Sequence, residues 1–127
     1  MGTAIFRKDG DDVVQYAVLI YEKPGAYDPL SPEERQALSD EYMALHDDPR
    51  VVEGARLQPR EMTTTVRMQG GETLITDGPF ADTKEVFGGY YLLVADDLDA
   101  AIEIAERIPA ARLGGAVEIR PLMYRHP

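Results

Sequence analysis

The chain predicts an α+β subunit of the ferredoxin-like βαββαβ type, and three observations carry that expectation. Two separated segments space their apolar residues as helices do, and several others are alternating or continuously apolar as strands are. The two kinds follow one another as β-α-β-β-(β)-β-α-β, the order of the split βαβ motif with a mainly antiparallel sheet. At 127 residues the chain fits one domain with one hydrophobic core.

Residues 1–14 are polar and without period, so they read as an N-terminal extension ahead of a domain spanning 15–127. The first strong strand covers 15–21 and is apolar at almost every position (Tyr16, Ala17, Val18, Leu19, Ile20, Tyr21), which implies burial of both faces. Pro24, Gly25, Asp28 and Pro29 mark a loop. Ser31-Pro32-Glu33-Glu34 opens a helix, since a Ser cap, a Pro in the first turn and a Glu three residues after the cap satisfy free N–H groups. Leu38, Tyr42 and Leu45 form its apolar stripe, and Pro49 ends it at about Asp48.

Strands are expected at 51–57, interrupted by Gly54, and at 62–69, where Met62, Thr64, Val66 and Met68 share one face. Gly70-Gly71 supplies a two-residue hairpin turn into a short strand at 72–76. Residues 89–95 form another strand that is apolar on both faces. Asp96 or Asp97 then caps a second helix carrying Leu98, Ala101, Ile102, Ala105 and Ile108 on one side, and 116–123 close the sheet. Two helices cover only one face of such a sheet. The doubly apolar strands would leave the other face as a hydrophobic patch, so a second copy of the chain is the expected cover, two sheets packing face to face in a homodimer.

Thirteen basic against 23 acidic residues give a formal charge of −10, which repels nucleic-acid backbones and anionic membranes. The absence of cysteine removes disulfides, thiolate nucleophiles and Cys-based metal sites. Met1 to Asp12 hold no apolar run long enough for a signal peptide or a membrane span, so a soluble cytoplasmic protein is expected. There is no phosphate-cradling loop and no dinucleotide fingerprint, and no cofactor is expected. His46 and His126 have no ligand-spaced companions, although His46 with Asp47 or Asp48 could recruit an adventitious ion.

Chemistry-bearing residues concentrate in Asp77-Gly78-Pro79-Phe80, Thr83-Lys84-Glu85 and Gly88-Gly89-Tyr90-Tyr91. Pro79 stiffens the corner between Asp77 and Phe80. Asp77 either accepts backbone N–H bonds in a turn or faces a cleft where burial would raise its pKa for acid or base work. Phe80 is either a core anchor or part of that cleft. Lys84 and Glu85 point apart on regular structure, with Asp77 or Asp82 open to Lys84 and Arg120 open to Glu85, or they form rim salt bridges of small worth. Gly88-Gly89 implies a bulge or a close backbone approach, to a neighbouring strand or to a ligand.

These motifs, with Leu30-Ser31-Pro32-Glu33-Glu34-Arg35, Ile108-Pro109-Ala110-Ala111-Arg112 and Glu118-Ile119-Arg120-Pro121-Leu122, resemble the YCII-related, DGPF-domain family over roughly residues 15–124. The resemblance implies a dimeric α/β barrel, an architecture that hosts cofactor-free monooxygenases, isomerases, dehalogenases and ligand-binding regulators. Members of the family are typically bacterial, and some occur beside sigma factors of the extracytoplasmic-function class. A His–Asp pair has been proposed as the active site in the broader family. Asp77 matches the motif aspartate, whereas His46 has no residue-by-residue match to that histidine. Two functions are therefore expected. In one, a small acid/base enzyme uses Asp77 as proton carrier and Lys84 or Arg120 as electrostatic stabiliser, with Tyr21, Tyr42 or His46 lining the pocket. In the other, a non-catalytic module binds a small molecule or partner protein beside the same turn, with a regulatory role.

Overall fold

The structure, a computed structural model, describes residues 5–8, 11–79 and 84–123. Among the described residues seven strands form a five-stranded antiparallel sheet and a separate hairpin, accompanied by two α-helices. Two long strands lie at the centre, β2 (Asp11–Glu22) and β6 (Val86–Ala95), paired antiparallel from Val14 opposite Ala95 to Glu22 opposite Val86. Outside β6 runs β3 (Val51–Arg56). The other edge of β2 is shared, β7 (Ala116–Pro121) pairing with Tyr16 to Tyr21 and β1 (Ile5–Lys8) with Asp11 to Val14. Strands β2, β3, β6 and β7 with helices α1 (Pro32–Ala44) and α2 (Leu98–Glu106) make the ferredoxin-like βαββαβ unit expected from the sequence.

The polar start departs from its reading as a featureless extension. Strand β2 begins at Asp11 rather than at residue 15, and β1 lies before it, because an antiparallel neighbour satisfies backbone groups whatever the side chains are. At the other end, the 62–69 strand starts two residues late, at Thr64, after a 3₁₀ turn over Arg60–Met62.

Local chemistry explains the helix ends. The Ser31 hydroxyl accepts the Glu34 N–H at 3.1 Å while the Glu34 carboxylate accepts the Ser31 N–H at 3.0 Å, closing the capping box. Asp97 caps α2 through the Ala100 N–H at 2.9 Å. The buried stripe of α2 is Ala101, Ile104, Ala105 and, just beyond its end, Ile108, so Ala101, Ala105 and Ile108 lie in the core as expected from the sequence while Ile104 takes the place of Leu98 and Ile102. Leu98 and Ile102 flank it and stay partly in solvent, 51% and 38% exposed. This stripe packs with Tyr42 and Leu45 against Tyr16, Val18 and Ile20 of β2 and Tyr91, Leu93 and Ala95 of β6.

Among the described residues no helix covers the opposite face. Ala17, Leu19 and Tyr21 of β2 and Tyr90, Leu92 and Val94 of β6 alternate with the core residues there and are only half-buried. Beyond this sheet the hairpin of β4 (Thr64–Gln69) and β5 (Glu72–Asp77) projects around Gly70 and Gly71, both at positive φ. Val66 faces Ile75 across its ladder, and the two are 61% and 68% exposed. No helix among the described residues is long and apolar enough to cross a membrane.

Candidate functional site

The base of the hairpin and the ends of the central strands enclose a two-lobed cleft. Strand β6 carries one extra residue here. The register moves from Ile20 opposite Gly89 to Tyr21 opposite Phe87, leaving Gly88 unpaired with β2 as a bulge. The bulge sets Phe87 beside Tyr21, their rings edge to face with centroids 5.5 Å apart. Leu57 N–H donates to the Gly88 carbonyl at 2.9 Å, so the chain leaving β3 is tied to the same spot. Gly78 N–H donates to Thr63 O at 2.7 Å and the Thr65 hydroxyl to Gly78 O at 2.6 Å, closing the hairpin base. Gly78 has φ 102°, a conformation side chains disfavour, which explains the glycine before Pro79.

The larger lobe is about 680 Å³, walled by Tyr21, Leu57, Met62, Pro79, Val86 and Phe87 among others. The second is about 430 Å³ and shares with the first the segment from Leu57 to Arg60 together with Val86 and Phe87. Its character differs, for Lys23, Arg35, Arg56 and Arg60 line it together with Glu22, Asp28 and Glu61. Arg56, the last residue of β3, stands over two phenol rings, its guanidinium carbon 5.0 Å from the Tyr42 centroid and 5.7 Å from that of Tyr27. The two hydroxyls lie 3.4 Å apart. Burial pushes the pKa of both upward, and that of Tyr91 up to about 12, so all three remain neutral hydrogen-bonding groups.

The residues singled out in the sequence are dispersed. Tyr21 and Pro79 line the larger lobe, and Phe80 lies outside the described residues. Burial first, then the neighbouring Glu118, raises the Tyr21 pKa, while Arg120 on the same open face of β7 pulls it down. Tyr42 is buried, and its carbonyl accepts the Tyr91 hydroxyl at 2.9 Å. His46 lies in the 3₁₀ turn after α1 with its ring edge to face with that of Tyr91, centroids 5.4 Å apart, bordering a small cavity of about 240 Å³ with Tyr42 and Arg56. Lys84 is exposed and Glu85 half-buried, and neither is among the residues lining the two lobes. Asp77 ends β5, exposed, and lines neither lobe. Among the described residues no hydrogen bond, ion pair or shared cavity joins Asp77 to His46, and no group of three potential ligands is placed to hold a metal.

Sequence reasoning missed Arg56, Tyr27 and Arg60. The available signal was two arginines four apart around Pro59 in a strongly acidic chain. The arrangement suits recognition of a small molecule by a cation and neutral phenols better than proton abstraction. An exposed Asp77 has a direct consequence. Asp77→Asn is expected to change folding stability by less than about 0.5 kcal/mol in urea denaturation, and a larger loss would mark the carboxylate as structural.

A model of the YCII-related domain matches residues 14–124. An uncharacterized protein of Rhizobium meliloti (strain 1021) is 35% identical over 119 residues, covering 88% of this chain and 94% of that protein.

Proposed function

The chain belongs to the YCII-related domain family, and on that premise we propose that it is a small-molecule-binding protein whose site is the two-lobed cleft under the Asp77–Pro79 corner. The observation that carries the reading is the cleft itself, in which an apolar lobe of drug-like size shares the 57–60 segment, Val86 and Phe87 with a lobe lined by four basic side chains. Proton chemistry at Asp77, the enzymatic alternative, draws no support from a carboxylate exposed outside that cleft. The test is an amide-resolved NMR titration with a library of small organic molecules. Shifts concentrated at Tyr21, Val86, Phe87 and the 57–60 segment are expected. Hits confined to other surfaces would refute the assignment.

The same proposal includes a homodimer built on the sheet face that carries Leu19, Tyr90, Leu92 and Val94. Support comes from the half-buried apolar side chains on that face and from the exposed Val66 and Ile75 of the neighbouring hairpin. Sedimentation at micromolar concentration is expected to give a dimer, and Leu92→Lys a folded monomer by circular dichroism. A monomeric wild type would eliminate the twin subunit.

A further inference from the structure

We propose that Arg56 is the anion-recognition residue of the cleft and that the ligand is an amphipathic monocarboxylate, its carboxylate on the Arg56 guanidinium and its apolar body in the lobe walled by Tyr21, Met62 and Phe87. The inference rests on the reading of the cleft as a binding site.

The argument begins with what holds Arg56. Cation–π contact with the rings of Tyr42 and Tyr27, at 5.0 and 5.7 Å, holds the guanidinium in place without consuming any of its N–H donors. Among the described residues the nearest carboxylate, Glu22, forms an ion pair at 3.9 Å, longer than a hydrogen bond, and the side chain is about half exposed. Among the described residues the guanidinium makes no hydrogen bond. Its neighbours in the lobe are committed differently. Arg35 donates to the carbonyls of Leu30 and Asp28, both at 3.3 Å, and Arg60 already has partners. A planar fork that is oriented yet unspent is what bidentate binding of a carboxylate requires, because little ordering entropy remains to be lost.

Charge selects the class. The lobe brings four basic side chains together in a chain of net charge −10, which favours an anion there. Glu22, Asp28 and Glu61 line the same lobe, so among the described residues the excess is a single positive charge, which suits a monoanion better than a doubly charged phosphate. The adjoining lobe then prescribes an apolar or aromatic remainder.

The experiment titrates the intact protein by NMR and calorimetry with 4-phenylbutanoate, with its neutral amide, and with inorganic phosphate. The carboxylate is expected to bind at least about tenfold more tightly than the amide. Arg56→Gln should abolish that preference, and Arg56→Lys should retain part of it, since an ammonium keeps the charge but not the fork. Glu22→Gln should tighten carboxylate binding several-fold, a gain that a purely structural role for Arg56 does not predict. Amide and carboxylate binding equally at the cleft, or an undiminished preference in Arg56→Gln, would overturn the inference while leaving the cleft as a binding site. Phosphate binding more tightly than the carboxylate would overturn the ligand class. No perturbation of Tyr21, Val86 or Phe87 by any probe would remove both the inference and the reading beneath it.

Discussion

Gly89→Ala is expected to lower folding stability by at least about 2 kcal/mol, whereas Gly88→Ala, one residue away, should stay within about 0.5 kcal/mol of the wild type. The difference lies in what each new methyl group meets. At Gly89 a Cβ would sit 2.6 Å from the carbonyl oxygen of Ala55 and 3.3 Å from the Arg56 Cα, both backbone atoms of the neighbouring strand. Neither can move without separating β3 from β6, so the ladder that carries Arg56 must open. Removing a glycine from the unfolded chain returns only about 0.4–1 kcal/mol, too little to offset the clash. At Gly88 the obstacle is the end of the flexible Glu22 side chain, with Cδ at 2.7 Å, which can swing aside. Denaturant titrations of both variants at constant m-value check the pair. Equal effects would show that the two strands adjust where these distances say they cannot.

Much of this architecture was legible in the sequence, for physical reasons that particular residues make clear. The doubly apolar runs from Tyr16 to Tyr21 and from Tyr90 to Ala95 became the central strands, which have neighbours on both edges and put one apolar set into the core and the other on the half-buried face. The Ser31–Glu34 box and the Asp97 cap are local chemistry, read within four residues. The buried stripe of α2 was read correctly at Ala101, Ala105 and Ile108 but included Leu98 and Ile102 in place of Ile104, because these residues are equally apolar and periodicity alone does not fix the edge of the stripe that meets the sheet. Gly88-Gly89 was recognisable as a close approach, yet the different obstacles facing the two glycines depend on Glu22 and Ala55, which are distant in sequence. The site was the least legible part. Of the Asp77–Pro79 corner, Pro79 lines the cleft, but the cation that gives the cleft its character stands on tyrosines 14 and 29 residues earlier in the chain. No local pattern encodes that convergence.

Asp48, read from sequence as a helix end and a candidate partner of His46 for an adventitious ion, is expected to be a large single contributor to stability among the acidic residues. Its carboxylate is 9% exposed and accepts from the Arg50 guanidinium at 2.7 and 3.0 Å, from the Arg50 backbone N–H at 2.9 Å and from Arg107 at 2.7 Å. Arg50 reaches on to Glu103 at 3.0 Å, so one cluster ties the end of α1 to the start of β3 and to the last turns of α2. Asp48→Ala removes the acceptor and leaves two guanidinium groups facing each other, at a cost of about 3 kcal/mol. The pH dependence has a definite sign. The Arg50 side chain first, with its backbone N–H and Arg107, holds the Asp48 carboxyl well below the usual carboxylate range. The charge-dependent stabilisation is therefore complete above the unfolded-state pKa of about 4 and is lost as pH falls from there through the lower folded-state value. Asp48→Asn keeps the shape without the charge, so the stability gap between it and the wild type should be constant from neutral pH down to about 5 and narrow progressively below about 4. Urea denaturation across that range measures the gap, and a gap that does not shrink in acid would mean that the carboxylate charge is not what binds the two arginines.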